Sequence, residues 1–292
     1  MTDRKWVYVT LSAFLLLGAS FFFFLGSFFS LFGKDYDRKK GNIAVVEVLG
    51  GIFDAKPVTE ELRDLKKDDQ AKAVVLRVDS PGGSVGASQE IFEAVKSLKE
   101  AKPVVVSMGT VAASGGYYIA APANRIVANA GTITGSIGVR MDLMNVEDLL
   151  GWARLRPVTL KSGALKDVGS PTRAMTPEER EYLEGILKAM HEQFKKAVTE
   201  NRGLESAAVD HLADGRIFTG EEALKLKLVD ELGSLDRAVK VAADLAGLKE
   251  DPEPFYPEKE PEDFLKYLVE GAVDRLFDRA ASLVLERFRF AY

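Results

Sequence analysis

No cysteine occurs among the 292 residues. A disulfide framework, a thiolate zinc site and a cysteine nucleophile are therefore excluded. Histidine is almost as scarce: His191 and His211 are the only two. Zinc peptidases usually use two or three imidazoles at set spacing. His191 is followed by Glu192, Gln193, Phe194 and Lys195, so the second histidine of an H-E-x-x-H helix is missing. No metal and no cofactor are called for. Basic excess is lacking too. The formal net charge is −5 and no basic stripe carries interleaved aromatics, so no nucleic-acid partner is expected. With 47 % hydrophobic and 28 % charged residues, the composition is that of a globular chain. The length allows one or two domains.

The chain begins with an uncharged Leu- and Phe-rich run from Trp6 to Phe32. As a helix it would extend roughly 40 Å, enough to span a bilayer with some tilt. It continues well past Gly18-Ala19-Ser20, and so exceeds the short apolar core of a cleavable signal peptide. Residues 1–40 are expected to be an N-terminal tail and transmembrane anchor. Arg4 and Lys5 precede the run, and Lys34, Arg38, Lys39 and Lys40 come after it. A positive-inside count would place the adjoining domain in the cytoplasm, although long domains translocate despite such charges.

From Asn42 to Leu248 short β-rich runs alternate with charged helical segments. Ile43–Val48, Ala73–Val78 and Pro103–Met108 are the runs, and helices are expected near Thr59–Asp69 and Ser88–Glu100. Near-continuous apolar strands alternating with helices imply an α/β fold with a mostly parallel, covered sheet over residues 41–250. A long helix should start near Thr176. Thr176-Pro177-Glu178-Glu179 supplies a capping Thr, Pro at the first position and Glu at the third. In the last segment, 251–292, Pro252, Pro254, Pro257 and Pro261 mark a linker. After it Phe264, Leu265, Leu268, Val269, Ala272, Val273, Leu276 and Phe277 recur at helical spacing. Such an amphipathic helix suits docking on its own domain, on a partner subunit or on the membrane surface.

Three short motifs bear on chemistry. Ala112-Ala113-Ser114-Gly115-Gly116 succeeds an apolar strand and opens a helical stretch, Tyr117 to Ala121. A serine there sits among free N–H groups at the positive end of a helix dipole, and both favour a developing oxyanion. The bland reading is a helix cap with close-packed glycines. Asp79-Ser80-Pro81-Gly82-Gly83-Ser84 also joins strand to helix. Without a Walker lysine it fits an oxyanion donor, the Gly83 N–H, better than a phosphate cradle, and a turn needing positive φ is the plainer alternative. Lys161-Ser162-Gly163-Ala164-Leu165-Lys166-Asp167 holds two lysines. A lysine acts as general base only when neutral, and most lysines are solvated surface charges.

Taken in order, these motifs, together with Thr134-Gly135-Ser136-Ile137-Gly138, Ser170-Pro171, Arg216-Ile217-Phe218-Thr219-Gly220 and Leu228-Val229-Asp230-Glu231-Leu232-Gly233, closely resemble the short, single-domain signal peptide peptidase A family of serine peptidases. The likeness covers about residues 42–248. It implies a fold similar to the Clp protease and crotonase superfamily and a Ser–Lys dyad, a known variant of triad logic. On that likeness Ser114 is the nucleophile and Lys166 the general base, with Lys161 as the alternative. Ser136 matches a serine that hydrogen-bonds the lysine, and Gly83 and Gly115 would supply oxyanion N–H groups. The resemblance further implies an inner-membrane anchor with an extracytoplasmic catalytic domain, assembly into a ring, and remnant signal peptides as substrates.

Other classes compete. Ala112-x-Ser114-x-Gly116 approximates the nucleophile elbow of an α/β-hydrolase, with His211 downstream. A crotonase-like acyl-CoA enzyme is disfavoured by the apolar N-terminal run. A catalytically silent membrane scaffold is the third possibility.

Overall fold

The computed structural model describes residues 41–248 and 252–257. The expected span at 6–32, the basic residues that flank it and the apolar stripe of 264–277 lie outside the described residues. Among the described residues no helix is long and apolar enough to cross a membrane.

Three long strands form the centre: β1 (Ile43–Leu49), β2 (Ala73–Ser80) and β3 (Val104–Ala113). Helices α1 (Lys56–Lys67) and α2 (Val85–Lys99) are their crossovers, and α3 (Gly115–Ala120) leaves the end of β3. Then come β4 (Arg125–Ala128), β5 (Ile133–Gly135), α4 (Glu147–Trp152), α5 (Pro177–Arg202), α6 (Ser206–Leu212), β6 (Ile217–Thr219), α7 (Gly220–Lys225), β7 (Glu231–Leu232), α8 (Leu235–Leu245) and β8 (Pro254–Phe255). The strand order is β6-β5-β3-β2-β1-β8, with β4 also on β3 and β7 on β4. Among the described residues only β5 and β6 pair antiparallel; the other pairs are parallel. The expected α/β fold with a mostly parallel sheet is what forms.

Both faces of the sheet are covered, which explains the near-continuous apolar runs. Successive side chains of a strand point to opposite faces. Ala44, Val46 and Val48 of β1 join Val74, Leu76 and Val78 of β2 in the larger core, with Leu62 and Leu65 of α1 and Ile91, Val95 and Leu98 of α2. Ile43, Val45, Ala73, Val75, Val105 and Val127 face α8 through Ala238, Val239 and Ala242. Each fully buried Val, Leu or Ile contributes about 1.5–3 kcal/mol of transfer free energy.

The expected start of α5 is borne out. The Thr176 hydroxyl accepts from the Glu179 N–H at 3.2 Å, and the Glu179 carboxylate accepts from the Thr176 N–H at 3.0 Å. Part of the Pro-rich stretch is paired: Pro254 and Phe255 lie parallel to Ile43 and Ala44. A sheet edge is where a residue without an N–H is tolerated. Between Gly138 and Thr176 the only helix or strand is α4, and this excursion exposes Met144, Trp152, Val158 and Leu160.

Candidate active site

The carboxyl ends of β2 and β3 meet at Ser114. In open α/β sheets this end of the strands is where ligands bind. Ser114 has φ 53° and ψ −121°, a conformation costly for a side chain with a Cβ. Its N–H donates to the Gly135 carbonyl at 2.9 Å and its carbonyl accepts from the Tyr118 N–H at 2.9 Å. The backbone is thus clamped between β5 and the first turn of α3. The side chain makes no capping bond, although the residue sits at the cap position. Capping therefore does not account for Ser114. A half-buried hydroxyl is left at the strand-to-helix turn, on a backbone whose strain is held by its neighbours.

The Gly82-Gly83 turn lies directly against it. Gly82 has φ +99°, and a Cβ there would come within 2.6 Å of the Gly115 nitrogen and 2.9 Å of the Ser114 Cβ. Glycine is required at this position for both conformation and space. Gly83 forms a parallel bridge with Ile52, in which the Ile52 N–H donates to the Gly82 carbonyl and the Ser84 N–H to the Ile52 carbonyl. In that pattern the Gly83 N–H points away from Ile52. The Gly83 nitrogen is 3.2 Å from where a Gly115 Cβ would be, so the two amides lie side by side. Neither N–H has an acceptor among the described residues. Two unpaired amides beside a serine hydroxyl are suited to an oxygen that gains negative charge. The segment Gly50–Ile52, which builds one wall of this turn, escapes a reading of the sequence by motif. Its Gly-Gly pair just beyond a strand is the signal that could have marked it.

Ser136 stands next to this group. β3 and β5 pair Ala113 with Gly135, so Ser114 and Ser136 are each one residue beyond the same pair. Ser136 has φ 51°, is half-buried, and donates its N–H to the Arg216 carbonyl at 2.8 Å.

The lysines are placed differently. Lys166 lies on the excursion and is exposed; its backbone N–H donates to the Gly163 carbonyl at 3.2 Å, and no bond joins it to Ser114. Lys161 is engaged: its ammonium donates to the Ala164 carbonyl at 2.8 Å and to Asp167 at 2.6 Å. Arg173 continues the chain of charges. Its Nε donates to Asp167 at 3.0 Å and its terminal nitrogens to Glu179 at 2.8 and 2.5 Å. The hydrogen bonds from Arg173, then from Lys161, hold the Asp167 carboxyl well below the usual range. Those from Arg173, then from the Thr176 N–H, push Glu179 down to about 2. The structure thus brings together Ser114, Gly83, Gly115 and Ser136, while no hydrogen bond among the described residues joins the exposed Lys166 to them. His211 lies exposed on α6 and His191 on α5, and neither bonds to Ser114.

Comparisons with known proteins bear on the family and the fold. The model of Peptidase family S49 matches residues 96–249, and that of Clp protease matches residues 46–134. A putative protease of Methanocaldococcus jannaschii is 44 % identical over 203 residues, covering 68 % of this chain and 65 % of that protein. A putative protease of Synechocystis is 41 % identical over 240 residues, covering 82 % of this chain and 86 % of the relative. A putative signal peptide peptidase of Enterococcus faecium is 37 % identical over 180 residues, covering 61 % of this chain and 52 % of that one. The matched part of this chain thus spans from about half to most of these relatives' lengths. The resemblance read from the motifs holds, with a Clp-like α/β fold beneath it, and the chain belongs to Peptidase family S49.

Proposed function

We propose that this chain is a serine endopeptidase that uses Ser114 as nucleophile and Lys166 as general base. The observation that carries the reading is the strained Ser114 turn with the unpaired Gly83 and Gly115 amides beside it. Neutral Lys166 takes the proton of the Ser114 hydroxyl as its oxygen attacks the peptide carbonyl carbon. The carbonyl oxygen becomes an anion and accepts from the two amides. The resulting ammonium of Lys166 protonates the departing amine as the C–N bond breaks. Water, deprotonated by the lysine, then attacks the acyl-serine, and the lysine returns that proton to the Ser114 oxygen as the ester C–O bond breaks. Ser136, beside Ser114, orients the lysine through its hydroxyl.

The general base must be neutral, which calls for desolvation, and Lys166 is exposed in the single chain. Desolvation of Lys166 has to come from outside the single chain as described. The exposed apolar residues of the excursion that carries it fit burial against a neighbouring subunit in a ring. The apolar run at 6–32 supports an anchor in the bacterial inner membrane, with the catalytic domain on the extracytoplasmic side. The name of the Enterococcus relative supports remnant signal peptides as substrates, whose apolar cores suit a membrane-bound enzyme.

Peptide hydrolysis by wild type beside Ser114→Ala and Lys166→Ala tests the chemistry. Both variants should be inactive, and turnover by a pure Ser114→Ala sample rejects the reading. Protease added to intact spheroplasts should digest the domain. Protection that ends only on lysis rejects the orientation.

A further inference from the structure

Strand β3 changes register halfway along. Val78 of β2 faces Met108, but Ser80 faces Ala112, so two residues of β2 are matched by four of β3. On the other side β3 also changes partner. Residues Val105 to Met108 pair with β4, and Val111 to Ala113 pair with β5. Gly109 and Thr110 therefore have no strand partner on either side. A bulge of this kind bends a strand and re-aims the residues beyond it, but leaves backbone polar groups to be satisfied.

Side chains satisfy two of them. The Asp79 carboxylate accepts from the Val111 N–H at 3.0 Å. The buried Thr132 hydroxyl donates to the Gly109 carbonyl at 2.7 Å. Gly109 packs so closely on Asp79 that a Cβ there would lie 2.5 Å from the second carboxylate oxygen. The Asp79 carbonyl meanwhile accepts from the Gly50 N–H at 2.9 Å, tying the same residue to the wall of the Gly82-Gly83 turn.

The consequence is one of phase. With Ser80 opposite Ala112, the register carries Gly82 to a position opposite Ser114, where the two residues touch. Without the two extra residues the strand would deliver its serine about 6.6 Å away, at roughly 3.3 Å per residue. We propose that Asp79 and Thr132 are positioning residues: by closing the Gly109–Val111 bulge they set the phase at which β3 presents Ser114 to the Gly83 amide. The proposal rests on Ser114 being the nucleophile.

The test compares variants that keep or remove each bond. Asp79→Asn keeps an oxygen for the Val111 N–H, and Asp79→Ala does not. Thr132→Ser keeps the hydroxyl, and Thr132→Val does not. Peptide kcat and KM, and the rate at which a fluorophosphonate probe labels Ser114, are measured for each. Asp79→Ala and Thr132→Val should lose about 10²-fold in kcat and in labelling rate, the scale of an ångström-sized misplacement, with KM changed little. Asn and Ser should restore most of the loss. Wild-type rates in Asp79→Ala, or an equal loss in Asp79→Ala and Asp79→Asn, would overturn the proposal. If Asp79→Ala does not fold, the Thr132 pair decides by the same criteria. Ser114→Ala is the separate control: if it still hydrolyses peptide, the nucleophile is misassigned whatever the other variants do.

Discussion

The Lys161 ammonium lies 2.6 Å from an Asp167 oxygen, and the same carboxylate is shared with Arg173. The pair ties the loop that carries Lys161 to the Arg173 cluster. Lys166, five residues on, has no such partner among the described residues. The two lysines of the motif thus differ in their contacts: Lys161 is tethered to Asp167, and Lys166, the proposed base, is exposed.

Conservative replacement distinguishes them. Lys166→Arg is expected to be inactive, because a guanidinium stays protonated. Lys161→Arg keeps a cation for Asp167 and should retain substantial activity. The measurement is kcat/KM for both. An active Lys166→Arg with an inactive Lys161→Arg would exchange their roles.

The pH dependence of the wild type rests on the same chemistry. A neutral lysine becomes more abundant as pH rises, so kcat/KM should climb through the alkaline range. No limb is expected near the free histidine value of about 6.5, since no imidazole joins Ser114. A limb near that value, removed by His211→Ala, would favour a histidine base and the α/β-hydrolase reading.

Gly82→Ala should damage the site more than the fold. Its φ of +99° would cost an alanine about 1–3 kcal/mol. The new methyl would also meet the Gly115 nitrogen at 2.6 Å, where the carbonyl oxygen of a substrate is expected. Loss of one oxyanion donor costs about 10²–10³ in kcat. A folded Gly82→Ala enzyme with normal kcat would show that the oxyanion is received elsewhere.

The Asp167–Arg173–Glu179 cluster makes an acid-stability prediction. Both carboxyls are held below their free values of about 3.9 and 4.3. Their stabilisation is therefore present above those values and is lost as pH falls through the folded ones, near 2 for Glu179. The Tm gap between wild type and Arg173→Met should be widest near neutral pH and narrow from about pH 5 towards pH 2. A gap that stays constant over that range would mean that Arg173 stabilises by packing and not by charge.

Features that rest on neighbouring residues, or on what is absent, were legible in the order of amino acids. The Thr176–Glu179 cap was legible because its partners are three residues apart and one local turn brings them together. The covered parallel sheet was legible in apolar runs spaced by helical segments. Two histidines and no cysteine narrowed the catalytic chemistry before any geometry was known. Tertiary structure alone decided the rest, because those relationships join residues remote in the chain. Gly109 inside Val104–Ala113 hints at a bulge, but its extent is set only where β3 exchanges β4 for β5 and shifts against β2. The meeting of Gly82 with Ser114 depends on that shift. The pairing of Lys161 with Asp167 depends on how a loop without regular structure closes upon Arg173 and the start of α5. An apolar or charged run specifies what it will bury or pair, but many partners satisfy it equally. Only the packed chain, where one register fills both cores at once, selects among them.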